Sequence, residues 1–369
     1  MKVPDVAGFF YGLKMIDRQE LKPTEVLNYI ESNEFRIGGE FKGKHIVSIE
    51  QFEKADLSTV FRRTEIIKDA YYTKPKALLE LAQGKVMVPL FYEPSTRTDL
   101  SFQTAMQRIG GCVDVASNGV QFSSVYKGEN LVDTVRALGC YVDVIAFRHP
   151  DKGSSFEAAW ALKLLKQRGI SNTSLISGGD GIGEHPTQAL LDIYTILELK
   201  DSLDGLTVTM VGDLQNGRTV HSDCKALAEL GANNLQVVLV SPESLKTPAE
   251  LVERLNNKGI TTYETDNLLE VIGSSDVVYW TRVQEERFKG NPEHYEEIKN
   301  RFVMTPNIAT RMKADAIFLH PLPRKLEMGT ENDHLILDQD PRFIYNEQMR
   351  NGMFVRMAML DLVLNGNAN

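Results

Sequence analysis

The sequence predicts an α/β fold with two doubly wound parallel-sheet domains that are joined by helices. Seven short apolar runs alternate with segments of helical periodicity, which is the pattern of a parallel sheet covered by helices. Valine and isoleucine dominate several of these runs, as expected of strands that are buried on both faces. The length of 369 residues suffices for two domains of ordinary size.

The apolar runs also divide the chain. They are KVMVPLFY, VDVIAF, TSLIS, LTVTMVG, LQVVLV, DVVYW and AIFLH. Pro186 suits a first helical position, so we expect a helix from His185 to about Lys200 between two α/β halves. Pro23 and Thr24 indicate an earlier helix start. We predict an N-terminal extension of unknown role (1–43), a first domain (44–185), a second domain (186–342) and a C-terminal helix (343–369) that packs back on the first domain.

Composition restricts the class of protein. The net charge of -9 argues against binding to nucleic acid or to anionic membranes. Cys112, Cys140 and Cys224 are scattered without a CxxC pair, so we expect no zinc site and a reducing, cytoplasmic location. No apolar stretch is long enough for a signal peptide or a membrane span.

Six of the seven runs lead directly into polar residues. Open α/β sheets bind ligands outside the carboxyl ends of their strands, so we expect these groups around one cleft. In chain order the groups are Glu93 with Ser95, Thr96 and Arg97; Arg148 with His149; a glycine-rich loop with His185; Asp213 with Arg218; Thr281 with Arg282 and Gln284; and His320 with PLPR.

The segment FYEPSTRTDLSFQTAMQRIGG contains the first candidate anion site. Ser95 to Thr98 open a predicted helix that ends at Gly110 and Gly111. Free backbone N–H groups at a helix start bind anions, and hydroxyl donors and an arginine strengthen such a site. The plainer interpretation is helix capping by Ser95 or Thr96 with Arg97 in solvent, and an isolated Ser-Thr pair would favour it.

The longer pattern FxExSTRT resembles the carbamoyl-phosphate signature of the aspartate and ornithine carbamoyltransferases. This resemblance favours the anion site over simple capping. It implies that the phosphate is bound by Ser95, Thr96, Arg97 and Thr98.

FRHP and HPTQ resemble two further motifs of the same family. The resemblance implies that Arg148 contacts the phosphate and the carbamoyl oxygen. It also implies that His185 donates to the carbamoyl oxygen and that Gln188 binds the carbamoyl amide. Together with Thr98, Arg148 and His185 would then act like an oxyanion hole. Taken alone, Arg148 could equally form a structural ion pair, and His185 could be a helix cap.

SSVYKGEN, taken alone, is a solvated turn. In the aspartate-specific members of the family, a serine and a lysine at this spacing reach the active site of a neighbouring subunit. The resemblance therefore implies that Ser123 and Lys127 complete a neighbour's site. A homotrimer would be the smallest active assembly.

The second half of the chain contains the residues that indicate which acceptor is bound. Aspartate has two carboxylates, and arginine suits each of them through two parallel hydrogen bonds. Arg218 and Arg282 follow different strands, which makes them the natural pair. The resemblance assigns them to aspartate binding, with help from Gln284 and Lys127. The plainer alternative is two solvated surface arginines.

The HPLPR motif distinguishes family members that use different acceptors. Ornithine-type members have a cysteine after that histidine and an SMG-like motif, whereas this chain has Pro321 and lacks SMG. The resemblance implies that the Leu322 and Pro323 backbone contacts the acceptor amine or the carbamoyl group, and that the bond between them is cis. His320 and Arg324 are interpreted as supporting residues.

The resemblance covers about Lys44 to Gly366. It implies a carbamoyl-phosphate-binding domain, an aspartate-binding domain and direct carbamoyl transfer to L-aspartate in pyrimidine biosynthesis, without metal or organic cofactor. Glu184, Tyr126 and Asn216 depart from the family's commonest pattern. These departures bear on regulation and subunit contacts more than on chemistry. The sequence leaves open whether a regulatory chain or other pyrimidine-pathway subunits bind to this chain.

Three alternatives stay open at this point. A nucleotide oxidoreductase is disfavoured because neither VTMVGDLQNGRTV nor SGGDGIG gives G-x-G-x-x-G after a strand. A catalytically silent scaffold paralogue should have lost some ligands, yet all the candidate ligands are present. A carbamoyltransferase that acts on another acidic amino acid would satisfy the same motifs.

Overall fold

The computed structural model describes residues 23–115, 128–181, 183–283 and 301–367, with the isolated positions 293, 295 and 298. These residues form two compact units. Unit one comprises the described residues up to Leu190 and those from Gly352 onward, and unit two comprises Leu191–Asn351. Within the described ranges, no helix is long and apolar enough to cross a membrane.

A four-stranded parallel sheet is the centre of unit one. Its strands are β1 (Val86–Phe91), β2 (Cys112–Val113), β3 (Val144–His149) and β4 (Ser174–Asp180), in the order β2-β1-β3-β4. The first three apolar runs are thus confirmed as strands. The sequence did not indicate β2, because two residues carry no periodicity. The expected glycine-rich loop after TSLIS is partly wrong, because β4 continues through Gly178 and Gly179 to Asp180.

Unit two contains a five-stranded parallel sheet. Its strands are β5 (Thr207–Val211), β6 (Gln236–Val240), β7 (Thr261–Thr265), β8 (Val277–Trp280) and β9 (Ile317–Leu319), in the order β7-β6-β5-β8-β9. The other four apolar runs are confirmed here. The sequence did not indicate β7, an edge strand of sequence TTYET with no buried residue, because it has no apolar face.

The helices connect the strands, as expected of doubly wound units. They are α1 (Pro23–Glu31), α2 (Lys54–Thr73), α3 (Pro75–Leu78), α4 (Thr96–Arg108), α5 (Leu131–Gly139), α6 (Ser154–Gln167), α7 (Pro186–Lys200), α8 (Arg218–Leu230), α9 (Ala249–Asn257), α10 (Leu268–Val271), α11 (Pro306–Ala309), α12 (Glu331–Leu337) and α13 (Tyr345–Asn365). The fold class predicted from the sequence is confirmed.

Two helices belong to both units along the chain. Helix α7 begins in unit one and continues into unit two, and α13 begins in unit two and continues into unit one. Their bounds confirm the helix expected from His185 to about Lys200 and the expected C-terminal helix.

Helix α1 confirms the start predicted at Pro23, and it belongs to the core of unit one. Val26 and Tyr29 are buried against α6 and β3 side chains in one apolar cluster, which also contains Phe35 and Phe156. Burial contributes roughly 1.5–3 kcal/mol for each large apolar side chain. Residues 23–43 are therefore part of the structure that supports the first sheet.

Each sheet reverses its strand order once. In unit one, β2 and β3 lie on opposite sides of β1, and in unit two, β6 and β8 lie on opposite sides of β5. Connections leave in opposite directions at such a point, which opens a crevice at the carboxyl ends of the two strands. The crevices are expected after β1 and β3 in unit one, and after β5 and β8 in unit two.

Helix α13 is joined to α2 by an ion pair that gives a stability prediction. Arg63 Nε donates to Asp361 Oδ2 at 2.6 Å, and Asn365 Nδ2 donates to Asp361 Oδ1 at 2.8 Å. The Asp361 side chain is only 1% exposed. Asp361→Ala should lower the stability of unit one by about 3 kcal/mol, because the Arg63 charge loses its buried partner. Urea unfolding followed by circular dichroism measures the change.

Glu229→Gln is the matched control. It removes the carboxylate of the more exposed Lys258–Glu229 pair, which should change stability by about 0–1 kcal/mol. Equal destabilisation by both substitutions would contradict the role assigned to the α2–α13 ion pair.

Candidate active site

The first candidate anion site lies where β1 leads into α4. Ser95 occupies the N-cap position of α4 in extended conformation, and its side chain makes no capping hydrogen bond. The first helical bond runs from Asp99 N to Ser95 O at 3.0 Å. The N–H groups of Thr96, Arg97 and Thr98 precede that bond, so they have no acceptor within the helix. The Ser95 side chain therefore does not cap the helix, whereas Arg97 is exposed, as the plainer interpretation expected. The helix start presents donors suited to an anion.

Arg148 lies beside this helix start, at the end of β3. It is 8% exposed, and Phe91 of β1 is its partner in the sheet register. Its Nη2 lies 2.7 Å from Glu93 Oε2, its Nε donates to the same oxygen at 2.9 Å, and its Nη1 donates to Gly178 O at 3.3 Å. The structural ion pair is therefore present. It also fixes the guanidinium at the carboxyl edge of β1 and β3.

His185 lies directly before α7, and its ring is 4% exposed. Its Nε2 lies 3.5 Å from the Thr98 hydroxyl of α4, which is also buried. Gln188, on the first turn of α7, donates its backbone N–H to His185 Nδ1 at 3.3 Å. The structure thus brings together Thr98 and His185, which the sequence places 87 residues apart.

Gly178 permits this close approach. A Cβ atom at Gly178 would lie 2.9 Å from Thr98 Cγ2 and 3.5 Å from Phe147 O. Any side chain in β4 at this position would therefore force the Thr98 side chain to shift. The sequence showed Gly178 as part of SGGDGIG, but only the strand pairing reveals what the glycine accommodates.

Asp180 and Glu184 fix the turn between β4 and His185. Asp180 Oδ1 accepts the backbone N–H of Glu184 at 3.0 Å, and its Oδ2 accepts that of Gly153 at 3.0 Å. Glu184 accepts from Ser48 Oγ at 2.6 Å and from Ile49 N at 2.9 Å. The Glu184 carboxylate is therefore engaged with residues 48–49. Sequence reasoning did not assign these structural roles.

In unit two, Arg218 opens α8 after β5. Gly217 is the N-cap residue of that helix. The preceding turn is fixed by Asp213, whose Oδ1 accepts the backbone N–H of Asn216 at 3.0 Å and its side-chain amide at 3.1 Å. Arg218 is half-buried. It lies at the carboxyl end of one of the two strands that flank the order reversal.

Arg282 and the HPLP turn follow the two neighbouring strands, β8 and β9. Arg282 is half-buried. Burial lowers the pKa of His320, and the charges of Arg324 and Arg282 lower it further. The Leu322–Pro323 bond is cis, as predicted. Leu322 has φ of 56°, a left-handed conformation that is costly for a side chain of this kind. The turn therefore holds the backbone in an orientation that a relaxed loop would not adopt.

The HPLP turn is supported from within unit two. Leu322 N donates to His320 Nδ1 at 2.8 Å, and His320 N donates to Gln348 Oε1 at 2.9 Å. Gln348 Nε2 in turn donates to Asp192 Oδ1 at 2.6 Å. Arg324 Nη2 donates to Asp338 Oδ2 at 3.1 Å, and its guanidinium stacks on the Tyr345 ring at 4.7 Å. These contacts agree with a supporting role for His320 and Arg324.

Three predicted ligands, Ser123, Lys127 and Gln284, lie outside the described residues. Among the residues that are described, no group of three or more histidine, cysteine or acidic side chains could hold a metal ion.

Comparison with known proteins matches two family domains to consecutive parts of the chain. Residues 44–198 match the carbamoyl-P binding domain of the aspartate/ornithine carbamoyltransferases, and residues 204–363 match the Asp/Orn binding domain. A chloroplastic aspartate carbamoyltransferase from Arabidopsis thaliana is 40% identical over 329 residues, which are 88% of this chain and 79% of that protein. The multifunctional protein pyr1-3 of Dictyostelium discoideum is 43% identical over 321 residues, 87% of this chain but only 13% of that protein.

Solved structures give a similar result. Aspartate transcarbamoylase from Trypanosoma cruzi, in complex with carbamoyl phosphate and aspartate, is 38% identical to this chain with a TM-score of 0.77. The match covers 88% of this chain and 98% of that structure. Two family models that together span most of the sequence, and a relative at 40% identity matched over most of its own length, show that this chain belongs to the aspartate/ornithine carbamoyltransferase family.

Proposed function

We propose that this chain transfers the carbamoyl group of carbamoyl phosphate to the amino group of L-aspartate. The products would be N-carbamoyl-L-aspartate and phosphate, in pyrimidine biosynthesis. The observation that carries the proposal is the position of the candidate ligands. In unit one the ligands lie at or after the ends of β1, β3 and β4, and in unit two the arginines follow β5 and β8. Each unit therefore has candidate ligands at the ends of the two strands between which the strand order reverses.

Carbamoyl phosphate is assigned to unit one. The start of α4 supplies unpaired N–H groups for the phosphate, and Arg148, held by Glu93, supplies a fixed cation. His185 and Thr98 lie close enough together to share one carbamoyl oxygen. The full assigned set is Ser95, Thr96, Arg97, Thr98, Arg148, His185 and Gln188, with Ser123 and Lys127 of a neighbouring subunit.

L-aspartate is assigned to unit two. Arg218 and Arg282 would each bind one carboxylate, with support from Gln284 and from a neighbour's Lys127. The strained turn at Leu322 and Pro323 would present backbone groups to the amine. The match of residues 204–363 to the Asp/Orn binding domain supports this assignment.

The reaction is direct attack of the aspartate amine on the carbamoyl carbon. The carbamoyl oxygen gains negative charge in the transition state, and donors fixed around it stabilise that charge without reorganising. Arg97, Thr98, Arg148 and His185 are the proposed catalytic residues. The C–N bond forms as the bond from the carbamoyl carbon to the phosphate oxygen breaks, and the leaving phosphate takes the amine proton.

We also propose that the active assembly is a homotrimer, in which Ser123 and Lys127 complete a neighbour's site. The multifunctional relatives favour association with other pyrimidine-pathway activities. Cysteine usage supports a cytoplasmic location, with Cys112, Cys140 and Cys224 all free.

The first prediction concerns the acceptor. Phosphate release from carbamoyl phosphate should be rapid with aspartate and far slower with ornithine or glutamate, because Arg218 and Arg282 match the two carboxylates of aspartate. Arg218→Ala and Arg282→Ala should each lower kcat/KM for aspartate by about a hundredfold or more, because a bound carboxylate is left unpaired. Arg301→Ala is the control, since Arg301 is exposed and pairs with Asp266. Equal turnover of ornithine and aspartate would refute the assignment.

The second prediction concerns His185. His185→Ala should lower kcat by about 100- to 1000-fold, with a smaller effect on the affinity for carbamoyl phosphate, because donation matters most in the transition state. His185→Asn should retain more activity, since its amide can still donate. His334→Ala, in α12, is the control. Unchanged turnover in the alanine variant would show that His185 is only a residue at a helix start and takes no part in the reaction.

The third prediction concerns assembly. Lys127→Ala and Arg97→Ala proteins should each be inactive, because each lacks one ligand of every site. Mixed trimers should regain activity, because some of their sites combine an intact Arg97 with an intact Lys127 from the neighbour. Dissociation and reassembly of the mixture, followed by an activity assay, measures this. Inactive hybrids from two parents that each assemble would exclude a shared site.

A further inference from the structure

Arg356 is a buried cation of α13 that lies against two substrate-binding elements of unit one. It is 3% exposed. Its Nη1 donates to Ser101 Oγ of α4 at 3.0 Å and to Gly352 O at 3.2 Å, and its Nη2 donates to Thr187 Oγ1 of α7 at 3.3 Å. Its guanidinium also lies over the Phe102 ring at 5.1 Å. One side chain thus links the helix proposed to bind phosphate to the helix that follows His185.

Thr187 continues this chain of contacts to the His185 ring. Its hydroxyl is fully buried, and it lies 3.4 Å from His185 Nδ1. A hydroxyl has one proton to donate and two lone pairs to accept. Since Arg356 can only donate, it occupies a lone pair of Thr187 and leaves the hydroxyl proton available for His185 Nδ1.

The backbone favours one direction for the hydrogen bond between Thr187 and His185. The Gln188 N–H donates to His185 Nδ1 at 3.3 Å, and a backbone N–H cannot accept. This contact favours a lone pair on Nδ1 and the ring proton on Nε2. The same N–H also donates to His185 O at 2.9 Å, so it is shared between two acceptors. The Thr187 hydroxyl, whose proton Arg356 leaves available, would be the second donor that favours this tautomer.

The Nε2 proton is the one that the proposed reaction requires. Nε2 lies 3.5 Å from the Thr98 hydroxyl, at the end of the ring that faces α4. In the opposite tautomer, Nε2 could only accept, and donation to a carbamoyl oxygen would be lost.

We propose that Arg356 and Thr187 are positioning residues that hold His185 in the Nε2-protonated tautomer and in a fixed position relative to helix α4. This inference deepens the proposed function and rests on it for the catalytic consequence. Arginine suits this role better than lysine, because its planar fork donates to Ser101 and Thr187 at once while its face covers Phe102. A lysine offers a single point charge and cannot reproduce the geometry.

Nitrogen NMR of the free protein tests the tautomer without relying on activity. The chain has seven histidines, and the His185→Asn variant identifies the His185 signals. In ¹⁵N-histidine-labelled wild-type protein, we expect protonated Nε2 and unprotonated Nδ1 for His185. In Thr187→Val, which keeps the side-chain shape, we expect the Nδ1 signal to shift and the opposite tautomer to appear. A wild-type ring protonated at Nδ1, or signals unchanged in Thr187→Val, would overturn the inference.

Kinetics test the catalytic consequence. Thr187→Val should lower kcat by about tenfold, the effect of one hydrogen bond, with little change in KM for carbamoyl phosphate. Thr187→Ser should restore kcat, because it retains the hydroxyl. Thr64→Val is the matched control, since Thr64 is a fully buried threonine of α2 whose hydroxyl donates only to Val60 O. Equal losses in Thr187→Val and Thr187→Ser would overturn the positioning role.

A double-substitution cycle tests whether Arg356 acts through Thr187. Arg356→Met should shift the His185 Nδ1 signal in the same direction as Thr187→Val, and Arg356→Lys should recover only part of the lost kcat. The double variant should lose little more than the larger single loss, because both changes interrupt one relay. Fully additive losses of kcat in the double variant would show that Arg356 does not act through Thr187. If wild-type protein transfers no carbamoyl group, the proposed function fails, whereas the NMR result still decides the tautomer.

Discussion

The reversal of strand order in each sheet is the constraint on which the candidate site depends. Parallel strands end at one edge, and only where the connections diverge does that edge open into a crevice. In unit one this point lies between β1 and β3, which lead to the α4 start and to Arg148. In unit two it lies between β5 and β8, which lead to Arg218 and Arg282. The same topological rule thus places a candidate anion-binding group at four strand ends.

Charge placement explains why the supporting residues are buried and polar. An arginine at a strand end binds an anion well only if its guanidinium is already oriented, and Glu93 and Gly178 O provide that orientation for Arg148. His185 must also be held in a fixed orientation, because only one of its two tautomers can donate from Nε2. Asp180 and Glu184 fix the turn before it, while Thr187 and Gln188 contact Nδ1.

Much of the fold follows from the sequence, because strands buried on both faces leave an apolar run. All seven runs became strands, whereas β2 is too short and β7 too polar to be recognised. Helix α1 could be predicted from Pro23, but its place in the core could not, because packing partners distant in sequence decide it. Among the site residues, Arg148 and His185 could be identified from motifs. Gly178 and Arg356 could not, since their importance lies in contacts with Thr98, Ser101 and Thr187.

The central claim is that this chain forms a bond between the carbamoyl carbon and the aspartate nitrogen. NMR of a reaction with ¹³C-labelled carbamoyl phosphate and ¹⁵N-labelled aspartate detects that bond directly. The account predicts a product whose carbamoyl carbon is coupled to the labelled nitrogen, formed by wild-type protein and almost absent with Arg148→Met. Consumption of carbamoyl phosphate without any carbon–nitrogen coupling, or equal product from the Arg148→Met protein, would contradict it.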